Sequence, residues 1–457
     1  MSDELPSGVP VADTGTDLGP LALGDKEAPV GGIGEPGAVP EPGAVPEPVE
    51  GRFEGVLREI MSGSIVLTIL AIVISLVIGA ILIASTNANV QAAGGYFLAR
   101  PTDTLLAIWN SVAAAYADIF RGGIYDYTAT SFGTGITSLF NTLSFSTPLI
   151  AAGLGIAVGF RSGIFNIGGT GIILVSAASA GWVGFHFSMP FGIHMVVAIL
   201  AGLVAGGIWG FIVGFLKARF GAHEVIVTIM LNYVALYLVD YLLNTPVLRD
   251  PGSNAPQSPP EKSTAILFHL IGPQYALNFG FIIVIGATVY CWWLLSRSSL
   301  GFKLRAVGEN PRAARVAGIR INRMFIYVMV ISGILVGFAG VYQVLGQNTT
   351  GFDRSIDANI GFTAITVALL GRSRPGGVFA AGLLFGFLQA GSYLMQSDQG
   401  VNVNVIPVIQ AVIVLFLAAP PLVRAIFRLP APGTKRKTRG RLPAVAAGAS
   451  TTIGASK

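Results

Sequence analysis

Apolar runs of membrane-spanning length, repeated along most of the chain, limit what it can fold into. Nine of them, at 65–84, 134–160, 165–187, 191–216, 223–243, 276–296, 324–346, 376–396 and 405–427, can each cross a hydrocarbon layer of about 30 Å at roughly 1.5 Å per helical residue. A tenth, 359–371, is shorter and reads either as a crossing or as a re-entrant half-helix. Lipid offers no hydrogen bonds, so segments of this kind satisfy their own backbone groups as helices. Of the 457 residues 53% are apolar and 11% charged, against about 25% charged in an average soluble domain. A water-facing fold has no means of hiding that surface. The expectation is an all-α integral membrane protein of about ten transmembrane helices, with 56–430 as its membrane domain. The stretch 104–120, bounded by Asp103, Asp118 and Arg121, reads as an interfacial helix outside the membrane.

Residues 1–55 carry Glu-Pro-Gly-Ala-Val-Pro twice, at 35–40 and 41–46, a composition that cannot bury a core and reads as a disordered, uncleaved tail. Residues 431–457 form a short basic tail. With ten crossings and the N-terminus inside, 23 of the 28 Lys and Arg residues fall on the inner side. Such a bias predicts that both termini are cytoplasmic, and it favours 359–371 as a crossing. It also explains the net charge of +5 without nucleic acid, because the excess borders one face of a membrane.

Several chemistries are missing. No Gly-x4-Gly-Lys-Ser/Thr loop is present to cradle ATP phosphates. His223-Glu224 lacks the second histidine of a zinc protease helix, and His186, His194 and His269 share no ligand spacing. Cys291 stands alone, which removes disulfide frameworks and multi-cysteine metal sites. Glu224 and Asp240 lie at the two ends of one span, and no ionisable residue occupies the middle of any. Ion-coupled carriers need such groups. An anion crossing here would lose hydration without gaining a partner, so the interior suits an uncharged solute.

Neutral polar side chains do occur at depth, among them Asn166, Thr170, Asn232, Tyr233, Gln343, Thr363, Thr366 and Gln389. For any one of them a hydrogen bond between helices is the simpler reading. As a set they also suit a path for a hydrogen-bonding solute. Gly202, Gly206 and Gly210, like Gly155 and Gly159, recur every four residues and mark helix-packing seams. A faint echo between 159–165 and 371–379 fits a parallel duplication or a chance likeness of two basic turns.

The inner loop 297–323 is the most informative segment. Asn310 has the form of an N-cap, Pro311 sits at the first helical position, and Gly318 ends an Arg- and Ala-rich body, which predicts a nine-residue cytoplasmic helix. Its surface reads as a docking element or as a solvated connector. The sequence Gly308-Glu309-Asn310-Pro311-Arg312-Ala313-Ala314, closing on Gly318-Ile319, resembles the coupling-helix motif of ABC importer permeases of the ribose, branched-chain amino acid and nucleoside type. Ser332-Gly-Ile-Leu-Val-Gly-Phe-Ala-Gly340 follows it in the family manner. The stretches 221–233, 361–372 and 165–168 resemble the nucleoside branch. The resemblance covers about 135–425. One departure is Gly169-Thr170-Gly171-Ile172, where the family usually has Val-Glu-Gly-Gln, so an acidic and an amide group are missing.

The resemblance implies a non-catalytic permease subunit of a bacterial plasma membrane importer. It would pair with a second, homologous permease, with cytoplasmic ATPase subunits that bind ATP and Mg, and with an external substrate-binding lipoprotein. This chain itself would hold no cofactor. Gly308, Glu309, Asn310, Pro311, Arg312, Ala313, Ala314 and Gly318 would form the ATPase contact. ATP-driven closure would move that helix as a rigid body and tilt the spans attached to it. A purine nucleoside is the expected cargo. Simple sugars or branched-chain amino acids are the alternatives within the family, and a secondary carrier or channel is the alternative outside it.

Overall fold

The computed structural model describes residues 64–402 and 404–428, and both expected tails lie outside the described residues. The regular structure of the described part is all helical, with no strand. Its principal helices are α1 (Ser64–Thr86), α2 (Pro101–Gly123), α3 (Thr137–Arg161), α4 (Gly169–His186), α5 (Ile193–Phe220), α6 (Glu224–Leu243) and α7 (Gly280–Arg297). They continue with α8 (Ser299–Glu309), α9 (Pro311–Val316), α10 (Ile321–Tyr342), α11 (Ile360–Leu370), α12 (Pro375–Gln399) and α13 (Val405–Ala418). Seven are long and apolar enough to cross a membrane: α1, α3 with the turn before it, α5, α6, α7, α10 with its terminal π turn, and α12. α4 has 18 residues, α11 only 11, and α13 stops after 14, before Ala419 and the short helix Pro420–Ile426.

The tightest packing joins α5 to α10. Gly202, Gly206 and Gly210 form the seam expected of them, lying on Gly333, Gly337 and the Met329 carbonyl of α10. A Cβ on Gly206 would stand 2.6 Å from the Gly333 oxygen, so these backbones touch directly and no side chain fits between them. α3 packs on α10 and α12 through its almost wholly buried second half.

Ion pairs and turns gather the helix ends into two rims. On one rim Arg161 donates to the Ser373 carbonyl at 3.1 Å, Lys217 pairs with Glu224 at 2.6 Å, and Gly308 lies on the Arg161–Ser162 backbone. The helix expected over 104–120 is α2, extended to 101–123. It lies against the C-terminal half of α12, with Gly122 on Gly391 and the Tyr116 hydroxyl donating to the Leu76 carbonyl of α1. Arg121 there contacts Asp118 at 2.8 Å, Asp126 at 3.2 Å and Asp398 at 3.3 Å, a cluster assembled from two separate parts of the chain.

Opposite the first rim, segment 244–279 covers the ends of α4 and α10. Glu261 is inserted here against Gly181 and Gly184, buried, with neither carboxyl oxygen hydrogen-bonded. Lys262 does not neutralise it, because its ammonium is held by the His186 and Phe187 carbonyls and the Ser188 hydroxyl. Burial pushes the Glu261 carboxyl up to about 9. A carboxyl raised this far favours the folded state fully below its unfolded value near 4.5, and that advantage is lost as pH climbs towards 9. Keeping the proton at pH 7 therefore costs on the order of 3 kcal/mol. Glu261→Gln is expected to raise the thermal unfolding midpoint of the purified protein at pH 8, with the gain shrinking towards pH 5. Equal midpoints for the two proteins across that range would contradict a buried, unpartnered acid.

Candidate functional site

Two features stand out from the bundle: a docked pair of short helices on the first rim, and a place at mid-depth where two helices begin. The first contains Asn310, whose backbone is extended at φ −152° and ψ 98° and whose side-chain oxygen accepts from the Arg312 and Ala313 amides at 3.0 and 3.1 Å. At the other end Gly318 has φ +79°, with Ile319 N–H bonded to the Ala314 carbonyl at 3.0 Å and Gly318 N–H to that of Arg315 at 3.0 Å, a Schellman closure. The punctuation is as expected but the helix is shorter, six residues rather than nine, and α8 precedes it as a second helix of 11 residues.

The two helices present distinct faces. Glu309, Asn310, Pro311, Arg312, Ala313 and Gly318 are exposed. Ala314 is buried instead, packed with Leu304 and Val307 against Ile164, Val213, Ile321 and Met324. Gly308 is also internal, since a Cβ there would sit 2.5 Å from the Arg161 carbonyl oxygen. These two residues fasten the element to the bundle rather than present it. Val316, 91% exposed, and Phe302 are large apolar side chains on this otherwise basic surface. The cap-and-stop pattern marks neither, and an apolar residue within an Arg-rich helix is the signal that points to them. Between α8 and α9 lies a cleft of about 420 Å³ lined by Phe302, Arg305, Glu309, Asn310, Ala313 and Ala317.

The second feature follows from interrupted helices. After α3 ends at Arg161 the chain runs without helix to Gly168, and α4 starts at Gly169. The start of a helix leaves amide groups without partners, and here one side chain from α6 and one from the segment itself meet them. Asn232 of α6 accepts from Gly171 N–H at 2.8 Å and donates to the Ile167 carbonyl at 3.0 Å. Asn166 accepts from Gly168 N–H at 2.9 Å and donates to Ser332 Oγ of α10 at 2.9 Å. Asn232 is about 12 Å along α6 and Ser332 about 16 Å along α10 by helix rise, so α4 begins near the middle of its neighbours.

α11 begins at the same place. Segment 348–359 descends without helix beside α4 and α10: Phe352 packs against Gly181, and Gln343 donates to the Ile356 carbonyl at 3.2 Å. It ends in two successive left-handed residues, Ala358 at φ 43° and Asn359 at φ 59°. A Cβ on Gly169 would lie 2.9 Å from the Gly361 oxygen, so the two helix starts touch. Both present partial positive charge at this point. The half-buried Thr170 hydroxyl faces the Asp357 carboxyl without closing a hydrogen bond. Asp357 therefore corrects the expectation that no ionisable group reaches mid-depth, because the descending segment carries it there.

The other polar candidates are dispersed. Thr363 and Thr366 are half-buried on α11, with the Thr366 hydroxyl donating to the Thr363 carbonyl at 2.6 Å. Tyr233 lies exposed on α6. Gln389 is on α12, whose main partners are α3 and α2, and it does not join the others. His194 is buried between Thr264 Oγ1 at 2.7 Å and the Val183 carbonyl at 3.0 Å. Among the described residues no group of three His, Cys, Asp or Glu side chains is placed to hold a metal.

Membrane-length helices, two helix starts meeting at mid-depth and a docked pair of helices on a basic rim define a transport permease. The chain belongs to the family described as branched-chain amino acid transport system / permease component, which matches residues 138–418. It is 37% identical to the guanosine ABC transporter permease protein NupP of Bacillus subtilis, over 70% of this chain and 90% of that one. It is 33% identical to a glucose ABC transporter permease protein of Haloferax volcanii, over 60% and 73% of the two chains. The nucleoside ABC transporter permease protein NupB of Lactococcus lactis is 34% identical over 62% and 79%. No solved structure matches the chain. It is a multi-pass protein of the inner membrane.

Asn232 joins α6 to the start of α4 through both ends of its amide, which generates a test. Asn232→Leu leaves a buried N–H and a buried C=O unpaired, at about 1–3 kcal/mol each. A clear fall in thermal midpoint is expected in detergent, while Gln389→Leu should shift stability by no more than about 0.5 kcal/mol. Parental stability in Asn232→Leu would remove its role as the anchor of α4.

Proposed function

We propose that this permease is the membrane subunit of an ATP-driven nucleoside importer, with ten crossings and both termini in the cytoplasm. α1, α3–α7 and α10–α13 supply the crossings, α4 and α11 being completed by the non-helical segments before them. The Lys and Arg residues on the rim of α8 and α9 support the cytoplasmic assignment of that rim. ATPase subunits bind there, at Glu309, Asn310, Pro311, Arg312, Ala313 and the adjoining Val316. A second permease of the same kind completes the membrane part, and an external binding protein delivers the solute. ATP and Mg stay with the ATPase subunits.

One observation carries the reading: the docked pair is continuous with the mid-depth junction. Ile164, in the segment that leads from α3 to α4, is packed among Leu304, Val307 and Met324. Two residues later Asn166 is bonded to Ser332. A displacement of α8 and α9 therefore reaches the start of α4 through a short, buried chain of contacts, and α10 moves with it. Alternating access requires such a link between the ATP-driven surface and the solute path.

The cargo assignment rests on chemistry and on relatives. Asp357 disfavours an anion at the junction, whereas ring N–H and amino groups find an acceptor there. Two of the relatives are named for guanosine and nucleosides, and a third for glucose, which keeps a simple sugar as the second reading.

Deletion of this gene alone is expected to abolish uptake of labelled guanosine while leaving ribose and leucine uptake intact. Loss of ribose or leucine uptake with guanosine unaffected would reverse the cargo assignment. In the reconstituted importer, Gly318→Val places a β-branched residue at φ +79°, a strain of about 1–2 kcal/mol. Solute-stimulated ATPase activity is expected to drop several-fold with membrane insertion unchanged. Full stimulation would show that the end of α9 takes no part in coupling.

A further inference from the structure

Building on the nucleoside reading, we propose that Tyr233 and Tyr237 of α6, extended by Tyr241, form a stacking wall for the planar base of the solute. The three side chains are 53%, 66% and 66% exposed. They recur every four residues and so share one helical face. Their depths along α6 are about 14, 20 and 26 Å by helix rise, in a helix of 20 residues that is itself about 30 Å long. None of their hydroxyls bonds to another described residue. A phenol hydroxyl turned into hydrocarbon halfway across a membrane loses its water hydrogen bonds and gains nothing, which is why tyrosines facing lipid gather at the interfaces. Tyr233 and Tyr237 are too deep for that belt. The outer part of this face, beyond the exposed Ile226 and Met230 that share it, is therefore turned to a polar space.

The two flanks of α6 differ as this requires. On one flank Leu238, Val239 and Leu242 line an apolar groove with α4 and α5, a surface suited to acyl chains. On the other, Asp240 continues the face of Tyr233 and Tyr237 at i+7 and i+3. Its carboxylate lies 3.9 Å from the Arg354 guanidinium, at the head of the descending segment that carries Asp357 to the junction. The tyrosines thus run from the outer end of α6 towards the paired helix starts. A base moving along this wall keeps an aromatic face against it at each turn of the helix, with the hydroxyls available to its edge or to the ribose. A sugar without a base offers the rings only its C–H face and no planar π surface.

The test uses the intact importer in cells. Cys291 is the only cysteine and is fully buried, so a cysteine introduced elsewhere is the sole accessible thiol. Tyr237→Cys is expected to react with a membrane-impermeant, cationic thiol reagent at least tenfold faster than Val204→Cys on the apolar groove, and guanosine should slow that reaction. Tyr237→Phe, which keeps the ring and loses only the hydroxyl, should retain more guanosine uptake than Tyr237→Leu. Tyr237→Leu should lower it on the order of tenfold at equal abundance in the membrane, as expected for the loss of one stacking ring. Labelling of Tyr237→Cys no faster than that of Val204→Cys overturns the proposal, since lipid or a second permease then covers the face. Parental guanosine uptake in Tyr237→Leu overturns the stacking role while leaving the nucleoside reading standing. A parent strain that imports ribose and not guanosine overturns both.

Discussion

Interrupting a helix inside a hydrocarbon layer strands N–H and C=O groups that water cannot reach, and much of this molecule is arranged around meeting that cost at residues 162–171. Asn166 and Asn232 answer it with four hydrogen bonds between 2.8 and 3.0 Å. Each amide has a donating and an accepting end, so each joins the broken segment to a different helix. The start of α4 is consequently fixed to α6 and α10 at once. Without those two side chains the break would be a defect; with them it is a junction of defined position, to which the start of α11 is added.

The contact between α5 and α10 has the opposite character. There the backbones meet without intervening side chains, leaving few rotamers to rearrange and little freedom to slide. α10 is therefore held against α5 more closely than α6 or α11 is held against its neighbours. α8 and α9 are sewn to the first residues of α10 through Ile321 and Met324, so force applied at the rim enters the stiffest part of the bundle. A stiff lever next to a hydrogen-bonded break suits two discrete packings rather than a graded deformation.

Seven of the spans were legible because hydropathy over about 20 residues is a local property. Asn310, Pro311 and Gly318 were legible for the same reason, since a cap and a stop act within one turn. α8 was not. Its N-cap Ser298 and internal Gly301 resemble a loop, and its helical form depends on Leu304 and Val307 finding Ile164 more than a hundred residues away. The roles of Asn166 and Asn232 were equally hidden, because an amide in an apolar run has the same appearance whether it lines a path or repairs a backbone. Asp357 lay in a segment whose descent cannot be read from its composition. Glu261 and the Arg121 cluster depend on contacts between remote parts of the chain, and local pattern carries no trace of those.

The lack of room between α5 and α10 has a consequence for how a transporter of this kind can diversify. Gly206, Gly210 and Gly333 accept no larger residue without driving two helices apart, so substitution there is closed to gradual change. The outward face of α6 is bound by no such restriction, because its side chains can be exchanged without touching the amide bonds of Asn232 on the opposite face. On the stacking role proposed for the tyrosines, selectivity and scaffold are encoded on separate sides of the same helix. New cargo can be explored by surface substitution while the machinery that moves it is inherited intact.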